Sequence, residues 1–259
     1  MARGDASKDI KRAELLLAYR KLKEAEAEAR EAIRISPQSL DAWMILGRIL
    51  SRTKGREMEA IEAFRKAIQS NSEQYKSSEF NVEAYYLIGD TFLRLENYPE
   101  AEQAGRNAIN NAEVWGYEYV GYSPFLLLGK ALYHQDKLEG AVKYLEAARY
   151  KKPNNPATRW YLGLAYLKGG LYEEAIKEFE LYLNFDIKPA LTKYNLACCY
   201  SRIGKPKWAI QYLKKAVEKG FADYPLMEKD PDQDNIRNEP EFIKLIEVVK
   251  KRWEGKHKK

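Results

Sequence analysis

The sequence predicts an all-α fold, a solenoid of stacked antiparallel helix pairs with about six hairpins and a C-terminal capping helix. Three observations carry the prediction. One phrase recurs five times: Trp43-x2-Leu46-Gly47-x2-Leu50, Tyr85-x2-Ile88-Gly89-x2-Phe92, Phe125-x2-Leu128-Gly129-x2-Leu132, then Leu162-Gly163-x2-Tyr166 and Leu196-Ala197-x2-Tyr200. A second phrase, built on alanine, follows each: Ala60, Phe64 and Ala67; Ala101 and Ala108; Ala141, Leu145 and Ala148; Ala175 and Phe179; Ala209, Leu213 and Ala216. The small residue of the first phrase precedes the first alanine of the second by 12 residues in four units and by 13 in the Gly47 unit.

Apolar residues three and four apart give each segment one apolar stripe, the mark of an amphipathic helix. A glycine or alanine in the first helix, facing alanine in the second, lets two axes approach at the short end of the ~8–10 Å packing range. A leucine at such a crossing overpacks it, at a cost of about 1–3 kcal/mol. Each hairpin alone leaves an apolar face bare, so the units must stack. These phrases and spacings resemble the tetratricopeptide repeat, a helix–turn–helix unit of about 34 residues. The resemblance implies a right-handed superhelical solenoid and a role in binding other proteins.

Taken in order, residues 1–39 read as a degenerate first hairpin. Leu15, Leu16, Leu17 and Tyr19 supply one helix; Ala25, Ala29, Ala32 and Ile33 supply a second that ends at Ser36-Pro37. Terminal repeats are expected to be atypical because one face meets water. Counting the family's first position back from the anchors gives repeats at 40–81, 82–121, 122–155, 156–189 and 190–223. The first two run to 42 and 40 residues, with the surplus around Ser70–Phe80 and Ala112–Gly121. Two departures stand out: Tyr182 replaces the second alanine of its unit, and Gly105 replaces a bulky apolar residue, which thins the expected packing there. Residues 224–254 form the cap, where Asp230-Pro231-Asp232, Arg237, Pro240 and Phe242 are similar to a phrase that ends many bacterial tetratricopeptide proteins. The acidic run lacks the central glycine and terminal glutamate of an EF-hand loop. A basic tail, 255–259, completes the chain.

The 259 residues are 45% hydrophobic, enough for a core, and no apolar run approaches the ~20 residues of a membrane span. With no signal-peptide core at the start, the expectation is a soluble cytoplasmic protein. The net charge of +6 is concentrated: the last ten residues sum to +5 and the other 249 to +1. A solvated end is therefore favoured over a nucleic-acid surface, and nucleic-acid binding through the tail and the arginines below stays an alternative reading. Cys198 and Cys199 are adjacent on a helix, about 100° apart, which disfavours a disulfide between them. With His134 and His257 the only histidines, no metal site and no cofactor are expected. No P-loop, GxGxxG, GxSxG or HExxH motif is present, so the chain reads as non-catalytic.

The resemblance implies a groove lined by first helices, and its positions can be read residue by residue. The fifth positions are Met44, Tyr86, Leu126, Trp160 and Tyr194; the ninth are Arg48, Asp90, Lys130, Leu164 and Cys198; the thirteenth are Arg52, Arg94, His134, Lys168 and Arg202. One stripe is aromatic or apolar and a parallel one is basic or potentially basic. A peptide with apolar anchors and acidic residues complements both. The family's carboxylate clamp for chaperone C-termini needs Lys and Asn, then Asn, then Lys and Arg where this chain has Met44 and Arg48, then Leu87, then Ser123 and Leu127, so that ligand is disfavoured. Trp115, Tyr117 and Tyr119 in the second surplus form a candidate interaction patch, for self-assembly or a partner, or else plug a lengthened junction.

Overall fold

A computed structural model describes residues 5–70, 79–113 and 121–257. Fifteen helices and no strand are found among them. The chain divides into two compact units, Met1–Asp136 and Lys137–Lys259.

The first unit pairs α1 (Ala6–Ala18) with α2 (Leu22–Ile35), α3 (Leu40–Leu50) with α4 (Glu57–Ser70), and α5 (Glu79–Arg94) with α6 (Tyr98–Glu113). α7 (Tyr122–His134) then packs on α5 and α6. Trp115, Tyr117 and Tyr119 lie outside the described residues. Connections of three residues force neighbouring helices to fold back on one another. At the first turn, Arg20 takes a left-handed φ of 58° and the Lys21 N–H reaches back to the Leu16 carbonyl at 2.9 Å. Glu96, at φ 55°, does the same between Asn97 and Phe92. This is the helix-ending arrangement glycine favours; a side chain there carries a modest strain. Ser39 caps α3 by accepting the Ala42 N–H on its hydroxyl.

The small residues of the first helices mark close approaches. A Cβ on Gly47 would sit 2.5 Å from the Phe64 ring. One on Gly89 would sit 2.5 Å from Leu127 and 3.2 Å from Ala104. The partner of the small residue is thus an aromatic ring at the first crossing, where alanine was expected. The second crossing explains Gly105. It stands where Phe64 stands one repeat earlier, and Leu127 of α7 fills the space that ring would occupy. Packing at Gly105 is not thinned: an added Cβ would lie 3.1 Å from the Leu128 Cβ and 3.3 Å from its Cα. Losing the ring lets α7 come in closer.

The second unit holds α8 (Leu138–Lys151), the pair α9 (Pro156–Lys168) and α10 (Tyr172–Leu183), and the pair α11 (Pro189–Arg202) and α12 (Pro206–Glu218). Prolines open α9, α11 and α12 at their first turns, where a missing N–H costs nothing. Gly170 and Gly204 make the left-handed turns at φ 78° and 70°. Gly163 repeats the glycine–ring contact, its would-be Cβ 2.6 Å from Phe179. Tyr182, in place of an alanine, is buried with its ring centroid 5.1 Å from that of Trp160. Buried Glu178 joins three helices: it accepts from Arg149 of α8 at 2.6 Å and from Arg159 of α9 at 2.9 Å. Removing one partner of such a buried pair costs about 3–5 kcal/mol.

The cap is α13 (Tyr224–Lys229), a 3-10 helix (Pro231–Ile236) and α14 (Pro240–His257). Asp230 caps the 3-10 helix by accepting the Asp232 N–H, and Arg237 donates to the Asp230 carbonyl at 2.9 Å. Pro240 begins α14, and Phe242 is buried against the α11–α12 core. Every member of the Asp-Pro-Asp phrase and its followers therefore has a place in the cap.

Candidate partner-binding face

The sequence-derived groove residues fall on α3, α5 and α7 in the first unit and on α9 and α11 in the second. Met44 is buried at 4% exposure, beneath the surface of α3. Arg48, one turn on, pairs with Glu83 of α5, and Arg52 is exposed at the helix end. On α5, Arg94 lies 3.7 Å from Asp90 and donates to the Ser51 carbonyl at 3.0 Å, over the C-terminus of α3. A cation there satisfies an orphan carbonyl and suits the negative end of the helix dipole. On α7, the His134 ring stacks on Tyr98 with centroids 4.6 Å apart.

Between α5 and α7 the surface dips into a recess of about 50 Å³ lined by Tyr86, Asp90, Leu93, Tyr122, Ser123, Leu126, Leu127 and Lys130. Three of the sequence-derived positions meet Lys130 there. Ser123 and Leu93 occupy the second and twelfth register positions, so the same count could have found them. Tyr122 and Leu127 lie off those positions and come into view only through the tight α6–α7 approach at Gly105. Partial burial raises the Tyr86 phenol above its ordinary value, helped by the Asp90 carboxylate and Tyr122, so it stays a neutral hydrogen-bond donor. The recess therefore offers apolar walls with a phenol, a carboxylate and an ammonium at the rim. That suits one anchoring side chain and its neighbours. It is far below the ~300–1,000 Å³ of sites that enclose small molecules.

The second unit treats the same positions differently. Trp160 is half-buried, edge-on to Phe179 with centroids 5.8 Å apart, and the Lys188 ammonium lies 5.3 Å from its centroid. Leu164 is half-buried and Lys168 exposed. Tyr194, at 1% exposure, stacks on Phe221 at 4.3 Å and donates to Asp230 at 2.7 Å. Cys198, also at 1%, lies under the 3-10 helix, with the Gln233 amide nitrogen 3.0 Å from its sulfur. Arg202 donates to the Tyr172 hydroxyl at 2.8 Å and faces Asp232 at 3.6 Å. Met44, Tyr194 and Cys198 thus present no surface to a ligand. Arg94 and Arg202 spend their charge partly on joining one repeat to the next.

Comparison with known proteins places this architecture. The tetratricopeptide repeat profile matches residues 10–75, 55–117 and 126–191, and a second profile of the same repeat matches 190–218. The chain belongs to the tetratricopeptide repeat family. The first matched stretch begins at residue 10, inside the first helix pair. Among curated proteins, the chain is 33% identical over 87 residues to a chloroplastic protein of Arabidopsis thaliana, covering 32% of this chain and 26% of that protein. The chain spans about a quarter of that relative's length. Among solved structures, PilF of Pseudomonas aeruginosa superposes with a TM-score of 0.68 at 20% identity, covering 86% of this chain and 96% of the other. YrrB, described as a TPR protein with an unusual peptide-binding site, gives 0.63 at 21% identity over 74% of this chain and 92% of its own. These two similarities speak to the fold. Members of the family bind protein or peptide partners, and no helix among the described residues is long and apolar enough to cross a membrane.

Proposed function

We propose that this tetratricopeptide repeat chain is a non-catalytic scaffold that holds a segment of a partner protein against α3, α5 and α7. The observation that carries the reading is the recess between α5 and α7, whose walls are apolar and whose rim carries Tyr86, Asp90 and Lys130. An apolar side chain of the segment seats against Leu93, Leu126 and Leu127. Exposed Arg52, in the turn just after α3, and exposed Arg94, the last residue of α5, carry guanidinium forks that suit an acidic residue elsewhere on the segment. The peptide-binding site of YrrB, a structural relative, is consistent with such a use of the fold. Two unpaired, buried thiols accord with a reducing, cytoplasmic setting.

The test is selection from a displayed random-peptide library on the full chain. Enriched peptides should share one apolar anchor. Leu126→Arg, which fills the recess with charge on a half-exposed position, should weaken their binding at least tenfold with helical content unchanged. Equal binding to the variant would remove the recess from the account.

A further inference from the structure

Beneath the cap, three ligand-bearing side chains meet and a fourth, an amide, abuts them. The Cys198 sulfur and one carboxylate oxygen each from Asp230 and Asp232 lie within 4.8 Å of one another. The sulfur is 3.5 Å from the Asp230 Oδ2. That is the edge length of a tetrahedron whose centre lies about 2.3 Å from sulfur and about 2.0 Å from oxygen, the bond lengths zinc makes to thiolate and carboxylate. The fourth side chain is Gln233. It is fully buried, its amide nitrogen sits 3.0 Å from the same sulfur, and its amide oxygen has no hydrogen-bond partner. Turning the amide about its last bond exchanges its two ends and brings that oxygen to the sulfur side. Turned so, this buried acceptor without a donor would face the cluster, where a cation could take it as a ligand.

We propose that Cys198, Asp230, Asp232 and Gln233 form a divalent transition-metal site of the zinc class that fastens the cap to α11. The thiolate selects a borderline-soft ion over calcium or magnesium, which favour all-oxygen shells. Binding replaces the thiol proton, which leaves to solvent, with the metal. A thiolate and two carboxylates around a divalent ion leave one negative charge, and Arg202, 3.6 Å from Asp232, balances it. The outer contacts hold the ligands in place: the Tyr194 hydroxyl donates to Asp230 Oδ2 at 2.7 Å, and the Asp232 N–H to Asp230 Oδ1 at 2.9 Å. The sequence hid the site because its ligands are one cysteine on α11, two residues on a separate 3-10 helix and the aspartate that caps it, with no histidine and no paired-cysteine spacing.

The experiment titrates the reduced, chelator-free full chain with Co²⁺. One equivalent should bring up thiolate-to-cobalt absorption, and Zn²⁺ should abolish it by displacement. Cys198→Ser should lose the band and Cys199→Ser should keep it. Asp232→Asn, at a half-buried position, should weaken Co²⁺ binding at least about tenfold while the circular dichroism stays that of the parent. No band at millimolar Co²⁺ in the folded parent, a band retained in Cys198→Ser, or undiminished affinity in Asp232→Asn would each overturn the proposal. None of these readouts depends on partner binding at the recess.

Discussion

Tyr86 and Tyr194 hold the same register position in two repeats of one chain, yet they differ in almost every physical respect. Tyr86 is half-buried at the rim of an open recess. Tyr194 is enclosed, stacked on Phe221 and hydrogen-bonded to the cap. The next pair down the helix repeats the contrast, with Asp90 lining the recess and Cys198 buried under Gln233. The repeat pattern sets which way a side chain points. What it meets depends on the element that follows: another first helix in one case, a Pro-broken acidic cap in the other.

The largest effect expected from this contrast is in thiol chemistry. Burial, together with the Asp230 and Asp232 carboxylates, raises the Cys198 thiol, and burial also raises Cys199. Both cysteines should resist an alkylating reagent in folded protein with chelator present, whereas Asp90→Cys should react at once. The two rates should differ by orders of magnitude, because a buried thiol reacts only through opening. Rapid labelling of the native cysteines would show that the cap does not close over α11.

Stability should follow the same division. Tyr194→Ala removes a fully packed ring and should cost about 3–5 kcal/mol in denaturant unfolding. Tyr86→Ala, at the rim, should cost about 1 kcal/mol or less. Equal losses would mean the two tyrosines are packed alike. A smaller contrast separates two glycines. Gly163→Ala drives a methyl into the Phe179 ring and should destabilise by about 1–3 kcal/mol. Gly105→Ala meets Leu128 at 3.1 Å, and the helix-propensity gain of about 1 kcal/mol offsets the squeeze. That variant should stay within about 1 kcal/mol of the parent.

How far these features could be read from the sequence follows from the range of the contacts involved. The helix pairs were legible because a 3.6-residue period and a fixed helix-to-helix interval are local. The cap was legible from Asp230, Pro231, Arg237 and Pro240, whose caps and turns are also local. The burial of Tyr194 was not, since it depends on Asp230 and Phe221 closing from later in the chain. Leu127 as a substitute for a missing ring at Gly105 was likewise hidden, because one repeat's gap is filled by the next repeat's helix. The basic stripe was legible as a pattern but not as a use: only the structure shows Arg94 on the Ser51 carbonyl and Arg202 on Tyr172.

The smallest expected effect leaves the recess untouched. Burial pushes the Glu26 carboxyl up, but hydrogen bonds from Arg56 and Arg30, at 2.6 and 2.8 Å, outweigh it and hold the group below its ordinary value. A carboxyl depressed by folding stabilises above its unfolded pKa of about 4.3 and loses that contribution as pH falls through the folded value. Glu26→Gln should therefore show a shallower fall in Tm on acidification below about pH 4, with peptide binding at neutral pH unchanged. An identical acid limb in the variant would show that the pair contributes nothing.

The most direct test is a photoactivatable residue placed at Leu126, in the recess, and separately at Met58, an exposed position on the second helix of its pair. Illumination with a selected peptide, or in cells, should give a covalent adduct from position 126 and none from position 58. Adducts of equal yield at both positions, or none at 126, would contradict a partner-binding face on α5 and α7.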